Sequence, residues 1–169
     1  AGPGLGQEPE CVEMMQKMVE QCSAPMVLDA DALNAIAVAP EILAQRSQEM
    51  TVITPHPGEM ARLCGIDIPQ VQAQRIRTAQ EFAERHGVVV VLKGARSVIA
   101  DPHGNVRINS SGNPGMACGG MGDILTGVIA AYIAQGLAPL DAATLGVFVH
   151  GRAADLCAHQ FGPVGYSAT

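Results

Sequence analysis

The sequence predicts an α/β fold with a largely parallel sheet, and three observations support this prediction. Short apolar runs alternate with helical patterns along the chain, which is the order that parallel strands joined by crossover helices require. The run at 88–92 is continuous and valine-rich, as in strands that are buried on both faces. Glycines and polar residues follow several of these runs, and open α/β sheets bind their ligands beyond the strand ends. A length of 169 residues predicts one domain.

The first half of the chain supplies two predicted strand–helix units. After an opening glycine loop, a helix is predicted that has Pro9 in its first turn and apolar residues at helical spacing. A strand over 26–28 then leads to Asp29 and Asp31, and we expect Asp31 to cap the helix that follows. A second strand over 51–54 leads through a proline-bracketed turn into another helix, which ends at a glycine.

The second half adds a long helix, a buried strand, a hairpin and two more helices. One amphipathic helix is predicted over 69–86, and the strand at 88–92 follows it. A hairpin comes next, with its turn at 102–105. Two apolar helices, over 122–135 and 139–160, complete the pattern. This order places a glycine-rich segment between the hairpin and the first of these two helices.

The composition excludes several classes of partner. A formal net charge of −6 disfavours nucleic acids and anionic membrane surfaces, because both attract positively charged patches. Aromatic residues make up 3% of the chain, so side chains on which bases could stack are scarce. The longest uncharged apolar stretch, 124–140, is interrupted by glycine, glutamine and proline. We therefore predict a cytoplasmic protein that binds neither nucleic acid nor a membrane.

The segment 112–122 contains five glycines and leads directly into a predicted helix. Its last residues would present free amides and the positive end of the helix dipole, and glycines let a phosphate approach the backbone. Asp123 lies in the first helical turn. It either stabilises the helix start or acts as the base that takes a proton from a hydroxyl attacking a phosphate. The bare glycines ahead of it favour the second interpretation.

Three further residues, Lys93, His56 and Glu59, are candidates for the site, each with a structural alternative. Lys93 follows the buried strand and is either a surface lysine or a phosphate contact, to which Ser97 would add a hydroxyl. His56 lies between two prolines, which hold its ring in place, and it is either a structural residue or part of the site. Glu59 either occupies a first helical turn or helps to hold Mg²⁺ through water. His150 lies within an apolar helical pattern and is expected to be structural.

These pieces, in this order, resemble the ADP/ATP-dependent NAD(P)H-hydrate dehydratase family of the ribokinase-like superfamily. The resemblance covers nearly the whole chain and runs through GPGLGQ, DADALN, TPHPGEMARL, VVVLKGARSVIA, GNPGMACGGMGDILTG and FVHGRAADL. The proline-bracketed histidine together with the glycine block is quite specific to this family. The resemblance implies a ribokinase-like three-layer sandwich.

The resemblance also implies a reaction. Family members repair NADH or NADPH whose nicotinamide ring has been hydrated, a species written NAD(P)HX. A nucleotide phosphorylates the ring hydroxyl, and elimination of phosphate restores the dihydronicotinamide. Bacterial members generally use ADP and eukaryotic members ATP, so the implied cofactors are ADP or ATP as phosphoryl donor and Mg²⁺.

Matching motifs carry the family's roles onto this chain. Asp123 would be the catalytic base and would contact the hydrated nicotinamide. Other contacts to NAD(P)HX would come from Gly4, Gly6 and His56. The adenine nucleotide would be held by Lys93, Gly94, Ala95, Arg96, Ser97 and Gly122. The transferred phosphoryl group would meet the amides of Gly120, Met121 and Gly122.

Two features depart from the family pattern. Cys118 stands where the family generally carries Ala, Ser or Thr. Family domains also continue upstream of the first residue, so we expect 1–169 to be the C-terminal portion of a single dehydratase domain within a longer protein. An NAD(P)HX epimerase domain fused to it, as in many bacteria, is one form that such a protein would take. We expect a homo-oligomer, because an exposed sheet edge and apolar surface favour association.

Two other functions remain open at this point. A ribokinase-like kinase for a vitamin precursor or a sugar would use the same glycine loop, aspartate and lysine. It would leave a stable phosphorylated product, and such kinases generally lack the proline-bracketed His56. A nucleotide-binding module without turnover is the second alternative. Titration with ADP and ATP, followed by an assay for turnover, distinguishes it from an enzyme.

Overall fold

The computed structural model describes residues 1–46, 50–162 and 167–168. Within this part of the chain, the α-helices are α1 Pro9–Gln21, α2 Asp31–Ile36, α3 Pro57–Cys64, α4 Ile68–Ala73, α5 Arg75–His86, α6 Met121–Ala134 and α7 Pro139–Phe161. The strands are β1 Met26–Leu28, β2 Thr51–Ile53, β3 Val89–Leu92, β4 Val98–Ala100 and β5 Val106–Ile108. Short 3₁₀ helices occupy Pro40–Gln45 and Pro114–Met116. The α/β class is therefore confirmed.

The five described strands form one mixed sheet in the order β1-β2-β3-β4-β5. The strands β1, β2 and β3 are parallel, and Val52 lies opposite Val27 on one side and Val89 on the other. The pairings β3–β4 and β4–β5 are antiparallel, with Val91 opposite Ile99. The parallel arrangement that the sequence predicts is thus confined to β1–β3. The predicted hairpin is β4–β5, and a short return from β3 to β4 adds the second antiparallel pairing.

Helices cover both faces of the sheet, which confirms the three-layer arrangement. Because successive strand residues point to opposite faces, each of the strands β1 to β4 contributes to two cores. Ile53 and Val90 pack in a large core with residues of α1 to α5. Val52 and Val89 pack on the other face with residues of α6 and α7, including Ile129. Within the described residues, no helix is both long and apolar enough to cross a membrane.

The single helix expected over 69–86 is a wrong prediction, because the chain forms two helices that are separated at Gln74. The φ of Gln74 is −134°, outside the helical range. The break allows the Arg75 guanidinium to donate to the carbonyl oxygens of Leu92 at 2.9 Å and Lys93 at 3.2 Å. Neither glycine nor proline marks this position, so the sequence carries no local signal for the break.

The expected helix cap at Asp31 is also wrong. Ala30 precedes α2 as its N-cap residue, and Asp31 is the first residue of the helix. The Asp31 carboxylate instead accepts a hydrogen bond from the amide of Gly6 at 3.0 Å, which ties the opening glycine loop to α2. The loop also approaches β1 very closely, since a Cβ on Gly2 would lie 1.8 Å from the carbonyl oxygen of Asp29. Only glycine fits there.

Candidate active site

The glycine-rich segment ends at the N-terminus of α6. Gly120 is the N-cap residue and has a φ of 85°, a left-handed conformation that favours glycine. Met121, Gly122 and Asp123 are the first three helical residues, so their amides have no carbonyl partner within the helix. The 14-residue helix adds the positive end of its dipole at the same place. This arrangement can hold an anion such as a phosphate.

A cavity of about 880 Å³ opens beside this helix start, and such a volume suits a ligand of nucleotide size. Seven of the residues that are predicted to hold a nucleotide line it together: Lys93, Gly94, Ala95, Arg96, Ser97, Met121 and Gly122. Gly120 stands next to them as the N-cap of α6. The structure thus brings the predicted nucleotide residues into one place, while their individual roles stay predictions.

Asp123 opens into a second cavity, of about 560 Å³, on the other side of the helix start. This cavity is lined by Asp123 and Thr126 of α6, by Val27 of β1 and by Pro3 of the opening loop, among others. Asp123 is exposed to solvent. The first turn of α6 therefore stands between a cavity lined by the Lys93–Ser97 segment and a cavity that contains the predicted base.

The residues predicted to bind NAD(P)HX do not all gather around Asp123. His56 lines the larger cavity, beside the predicted nucleotide residues. Gly4 and Gly6 do not line the cavity that contains Asp123, although Pro3 does. Both glycines have positive φ values, 72° and 85°, so they shape the loop that places Pro3.

Lys93 is held in place by a buried carboxylate that sequence reasoning assigned to the start of a helix. Its Nζ lies 2.7 Å from Oδ1 of Asp29. Asp29 is 1% exposed, and its Oδ2 accepts a hydrogen bond from the hydroxyl of Thr126 at 2.9 Å. The available signal was topological, because β1 and β3 are parallel and both deliver a charged residue at their carboxyl ends.

His56 and Glu59 form a reciprocal cap on α3. Nδ1 of His56 accepts from the amides of Gly58 at 3.0 Å and Glu59 at 3.1 Å, while Oε2 of Glu59 accepts from the His56 amide at 2.7 Å. Because Nδ1 is an acceptor, the proton of the neutral ring lies on Nε2. The imidazole is 51% exposed toward the larger cavity. His56 therefore has a structural role, and its exposed ring edge is available to a ligand.

The surroundings of Glu59 do not form a metal cage. Its Oε2 lies 3.7 Å from Nζ of Lys93, whose positive charge already offsets the carboxylate. Among the residues that the structure describes, no group of three or more His, Cys, Asp or Glu side chains is arranged to hold a metal ion. Magnesium in phosphoryl-transfer sites is held chiefly by phosphates and waters with one or two carboxylates. Glu59 lies in the first turn of α3, as one of the two alternatives expects, and does not fit a direct metal ligand; its contact with Mg²⁺ through water stays a prediction.

Helix α7 anchors the loop that closes the larger cavity, a contribution that sequence reasoning missed. Asp155 accepts from the Gly112 amide at 3.0 Å and from Nδ2 of Asn113 at 3.1 Å. These bonds hold the pKa of Asp155 below its ordinary value, chiefly through the Gly112 amide. A Cβ on Gly151 would lie 2.3 Å from Oγ of Ser111, so α7 needs glycine where this loop crosses it.

His150 is closer to the site than its apolar sequence context indicates. It lines the larger cavity and forms a hydrogen bond with the backbone of Met121 at the start of α6. Burial lowers the pKa of His150, and this hydrogen bond opposes the shift. The ring therefore packs against the start of α6 and supports it from the α7 side.

The strand order, the helices on both faces and the glycine-rich helix start beyond the sheet define a ribokinase-like protein. A solved ribokinase-like structure from Enterococcus faecalis superposes with a TM-score of 0.83 at 29% identity, covering 98% of this chain and 57% of that one. The profile of the NAD(P)H-hydrate dehydratase family matches residues 1–169, and the chain belongs to this family.

Individual relatives agree with this assignment. The chain is 47% identical to the bifunctional NAD(P)H-hydrate repair enzyme Nnr of Moorella thermoacetica over 161 residues, which cover 95% of this chain and 30% of that protein. It is 39% identical to the ADP-dependent (S)-NAD(P)H-hydrate dehydratase of Neisseria meningitidis, over 95% of this chain and 55% of that protein. The ADP/ATP-dependent dehydratase of Bacillus subtilis, co-crystallised with ATP and Mg²⁺, superposes with a TM-score of 0.83 at 34% identity, covering 99% of this chain and 58% of that one. The chain thus spans less than two thirds of each of these proteins.

Proposed function

We propose that this protein is a nucleotide-dependent NAD(P)H-hydrate dehydratase, a lyase that returns hydrated NADH or NADPH to the reduced dinucleotide. The observation that carries the proposal is the position of the α6 N-terminus between two cavities. One cavity is lined by the segment Lys93–Ser97 and the other contains Asp123. A phosphoryl transfer needs a donor and an acceptor on opposite sides of the phosphate that moves.

In this proposal the adenine nucleotide occupies the larger cavity, with its terminal phosphate at the amides of Gly120, Met121 and Gly122. Asp123 takes the proton of the ring hydroxyl as the hydroxyl oxygen bonds to phosphorus and the bond to the leaving nucleotide breaks. The carbon–oxygen bond of the phosphorylated ring then breaks, and phosphate leaves with the bonding electrons. Loss of a proton from the adjacent ring carbon completes the double bond.

The proposed donor is ADP or ATP, and Mg²⁺ would accompany its phosphates. When bound, the ion neutralises phosphate charge. Glu59 would reach it through water, because the carboxylate is already engaged by His56 and Lys93. The Neisseria relative is ADP-dependent by name, and the Bacillus protein was co-crystallised with ATP and Mg²⁺. Both names support a nucleotide donor for this chain.

The test is a turnover assay of the full-length protein with hydrated NADPH and Mg²⁺, in the presence of ADP, ATP or no nucleotide. We expect the near-ultraviolet absorbance of reduced nicotinamide to return only when a nucleotide is present. A stable phosphorylated product would instead indicate a kinase. Nucleotide binding without turnover would indicate a binding module.

Asp123→Asn is the matched variant for the proposed base. Since general base catalysis typically contributes about 10²- to 10⁴-fold, we expect kcat to fall by at least about 10²-fold. The exposed side chain opens away from the larger cavity, so ADP affinity should be kept. Activity within about tenfold of the parent would refute the role of Asp123 as base.

Several wider assignments belong to the same proposal. Residues 1–169 would be the C-terminal portion of one dehydratase domain, within a protein that also carries an epimerase domain. The names of the bifunctional relatives and the share of them that the chain spans support this. We further propose a homo-oligomer in the cytoplasm. Support for self-association comes from α7, where Leu145, Phe148, Val149 and Leu156 are all exposed.

A further inference from the structure

We infer that Asp29 is a positioning residue that holds the ammonium group of Lys93 at the junction of the two cavities, beside the path of the transferred phosphoryl group. The inference rests on the proposed function, since it assigns Asp29 a part in that reaction. Asp29 lines neither cavity and would touch no substrate. It would act only through Lys93.

The first argument is the burial of the Asp29 carboxylate. A charged carboxylate is kept in a protein interior only where several partners compensate for the loss of water. Asp29 is 1% exposed and has three such partners. Oδ1 accepts from Nζ of Lys93 at 2.7 Å and from the amide of Ala30 at 2.9 Å, and Oδ2 accepts from the Thr126 hydroxyl at 2.9 Å. The carboxylate is therefore fixed, and it fixes whatever it binds.

The second argument is the anchoring of Lys93 at both ends. Its backbone amide donates to the carbonyl of Pro55 at 2.8 Å, and its carbonyl accepts from Arg75 at 3.2 Å. At the other end, Asp29 holds the ammonium group closely, while Glu59 lies further away at 3.7 Å. A lysine side chain without a close partner has four flexible bonds and would sample many positions. Asp29 selects one of them.

The third argument is where this position lies. A Cβ on Gly122 would be 3.3 Å from Oδ2 of Asp29 and 3.4 Å from Nζ of Lys93. The ion pair therefore packs directly against the first turn of α6, where the free amides are. Thr126 lies one helical turn further on and bonds the same carboxylate. Asp29 thereby fixes Lys93 and the helix start relative to each other.

A positioning role and a nucleotide-binding role for Asp29 predict opposite effects of its removal on nucleotide affinity. The negative charge of Asp29 opposes the attraction between Lys93 and phosphate. Its removal should therefore leave nucleotide affinity unchanged or raise it, while turnover falls because the ammonium group is no longer held. A merely structural role would lower stability, affinity and turnover together.

The experiment compares Asp29→Asn, Lys93→Ala and the double variant in the full-length protein, with hydrated NADPH and ADP. We expect Asp29→Asn to lower kcat by about 30-fold or more while the dissociation constant for ADP stays within about threefold of the parent or falls. In the Lys93→Ala background, Asp29→Asn should change kcat by less than about threefold, because the group that it positions is gone. Effects that multiply in the double variant would overturn the inference, as would equal losses of kcat and ADP affinity.

Asp101→Asn is the matched control for neutralising a buried aspartate. Asp101 is also 1% exposed, but it bonds His103 and Asn105 in the β4–β5 turn and lines neither cavity. The Asp101→Asn variant should be less stable than the parent, but it should not show a fall in kcat with unchanged ADP affinity. If Asp29→Asn does not fold, Thr126→Val is the substitute, because it removes one neutral partner of Asp29. Thr126→Val should lower kcat without lowering ADP affinity, and Thr126→Ser, which keeps the hydroxyl, should keep kcat near that of the parent. Weaker ADP binding by Thr126→Val would count against the inference.

A readout without turnover separates this inference from the proposed function. Residues 1–169 contain two lysines, Lys93 and Lys17, and reductive ¹³C-methylation labels both. Lys93→Ala and Lys17→Ala variants assign their NMR signals, and Lys17 serves as an internal reference. Asp29→Asn should move the Lys93 signal toward that of a freely rotating lysine and leave Lys17, which pairs with Glu13, unchanged. An unmoved Lys93 signal would overturn the positioning role even if the protein is an active dehydratase. A moved signal in a protein without dehydratase activity would refute only the proposed function.

Discussion

The α-carbon of Gly122 lies against the carboxylate of Asp29 so closely that a Cβ would stand 3.3 Å from Oδ2. These residues are far apart in sequence, and one begins a helix while the other follows a strand. Gly122 therefore has a second role besides leaving the backbone amides accessible to an anion. It lets the first turn of α6 settle on the ion pair of Asp29 with Lys93.

Gly122→Ala should separate stability from activity. Alanine favours helices over glycine by about 0.5–1 kcal/mol, which offsets part of the crowding against Asp29, so the melting temperature should change little. Displacement of the ion pair should lower kcat by about tenfold or more. Thermal unfolding and steady-state kinetics measure the two effects.

Gly127→Ala is the reference for helix propensity in this experiment. Gly127 lies on the same helix, and a Cβ there would meet nothing within 4 Å. The rise in melting temperature of the Gly127→Ala variant therefore measures the effect of helix propensity alone. If Gly122→Ala showed the same gain together with unchanged kcat, the contact with the ion pair would have no functional weight.

Arg75→Ala should weaken nucleotide binding although Arg75 lines neither cavity. Its guanidinium holds the carbonyls of Leu92 and Lys93, and a Cβ on Gly94 would lie 3.1 Å from it. Loss of these bonds frees the segment that begins the predicted nucleotide loop. We expect the dissociation constant for ADP to rise by about tenfold, measured by calorimetry.

Arg77→Ala is the matched control on the same helix. Arg77 is exposed and pairs with Glu81 one turn along α5, a contact of little energetic weight. Its ADP affinity should stay within about twofold of the parent. Equal weakening by both variants would mean that net charge, and not the anchoring of the loop, determines affinity.

The contribution of Asp155 to stability should depend on pH. The pKa of this carboxyl is lower in the folded protein than its ordinary value because the Gly112 amide and Asn113 donate to it. Such a group stabilises the fold fully above the unfolded pKa, about 3.9, and the contribution is lost as the pH falls through the folded pKa. The difference in melting temperature between the parent and Asp155→Asn should therefore be constant above about pH 5 and shrink below about pH 4. A difference that stays constant down to pH 3 would contradict this.

Leu156→Glu should disrupt self-association if α7 forms the interface. Leu156 is 61% exposed and shares a helical face with Leu145 and Val149. A charge there should lower the mass measured by light scattering without lowering the melting temperature of the subunit. Val38→Glu, at an exposed apolar residue after α2, should leave the mass unchanged. An oligomer that withstands Leu156→Glu would place the interface elsewhere.

Local signals in the sequence were sufficient for most elements of the fold and for part of the site. Runs of branched residues predict the buried strands, and the turn at 102–105 predicts the β4–β5 hairpin. The glycines before Asp123 predict a helix start suited to a phosphate, because dense glycine next to a helical pattern is itself a local feature. The grouping of Lys93–Ser97 with this helix start was also predictable, since it followed from the family motifs.

Only the tertiary structure decided how distant residues meet. The pairing of Asp29 with Lys93, the hold of Asp155 on Gly112 and the break at Gln74 depend on how strands and helices pack. The first two are contacts between segments that are remote in sequence, and the break at Gln74 accompanies such a contact, that of Arg75 with Leu92 and Lys93. Local periodicity carries no information about any of them. The sequence determines which chemical groups are present. The parallel strands β1 and β3 determine that Asp29 and Lys93 meet at the start of α6.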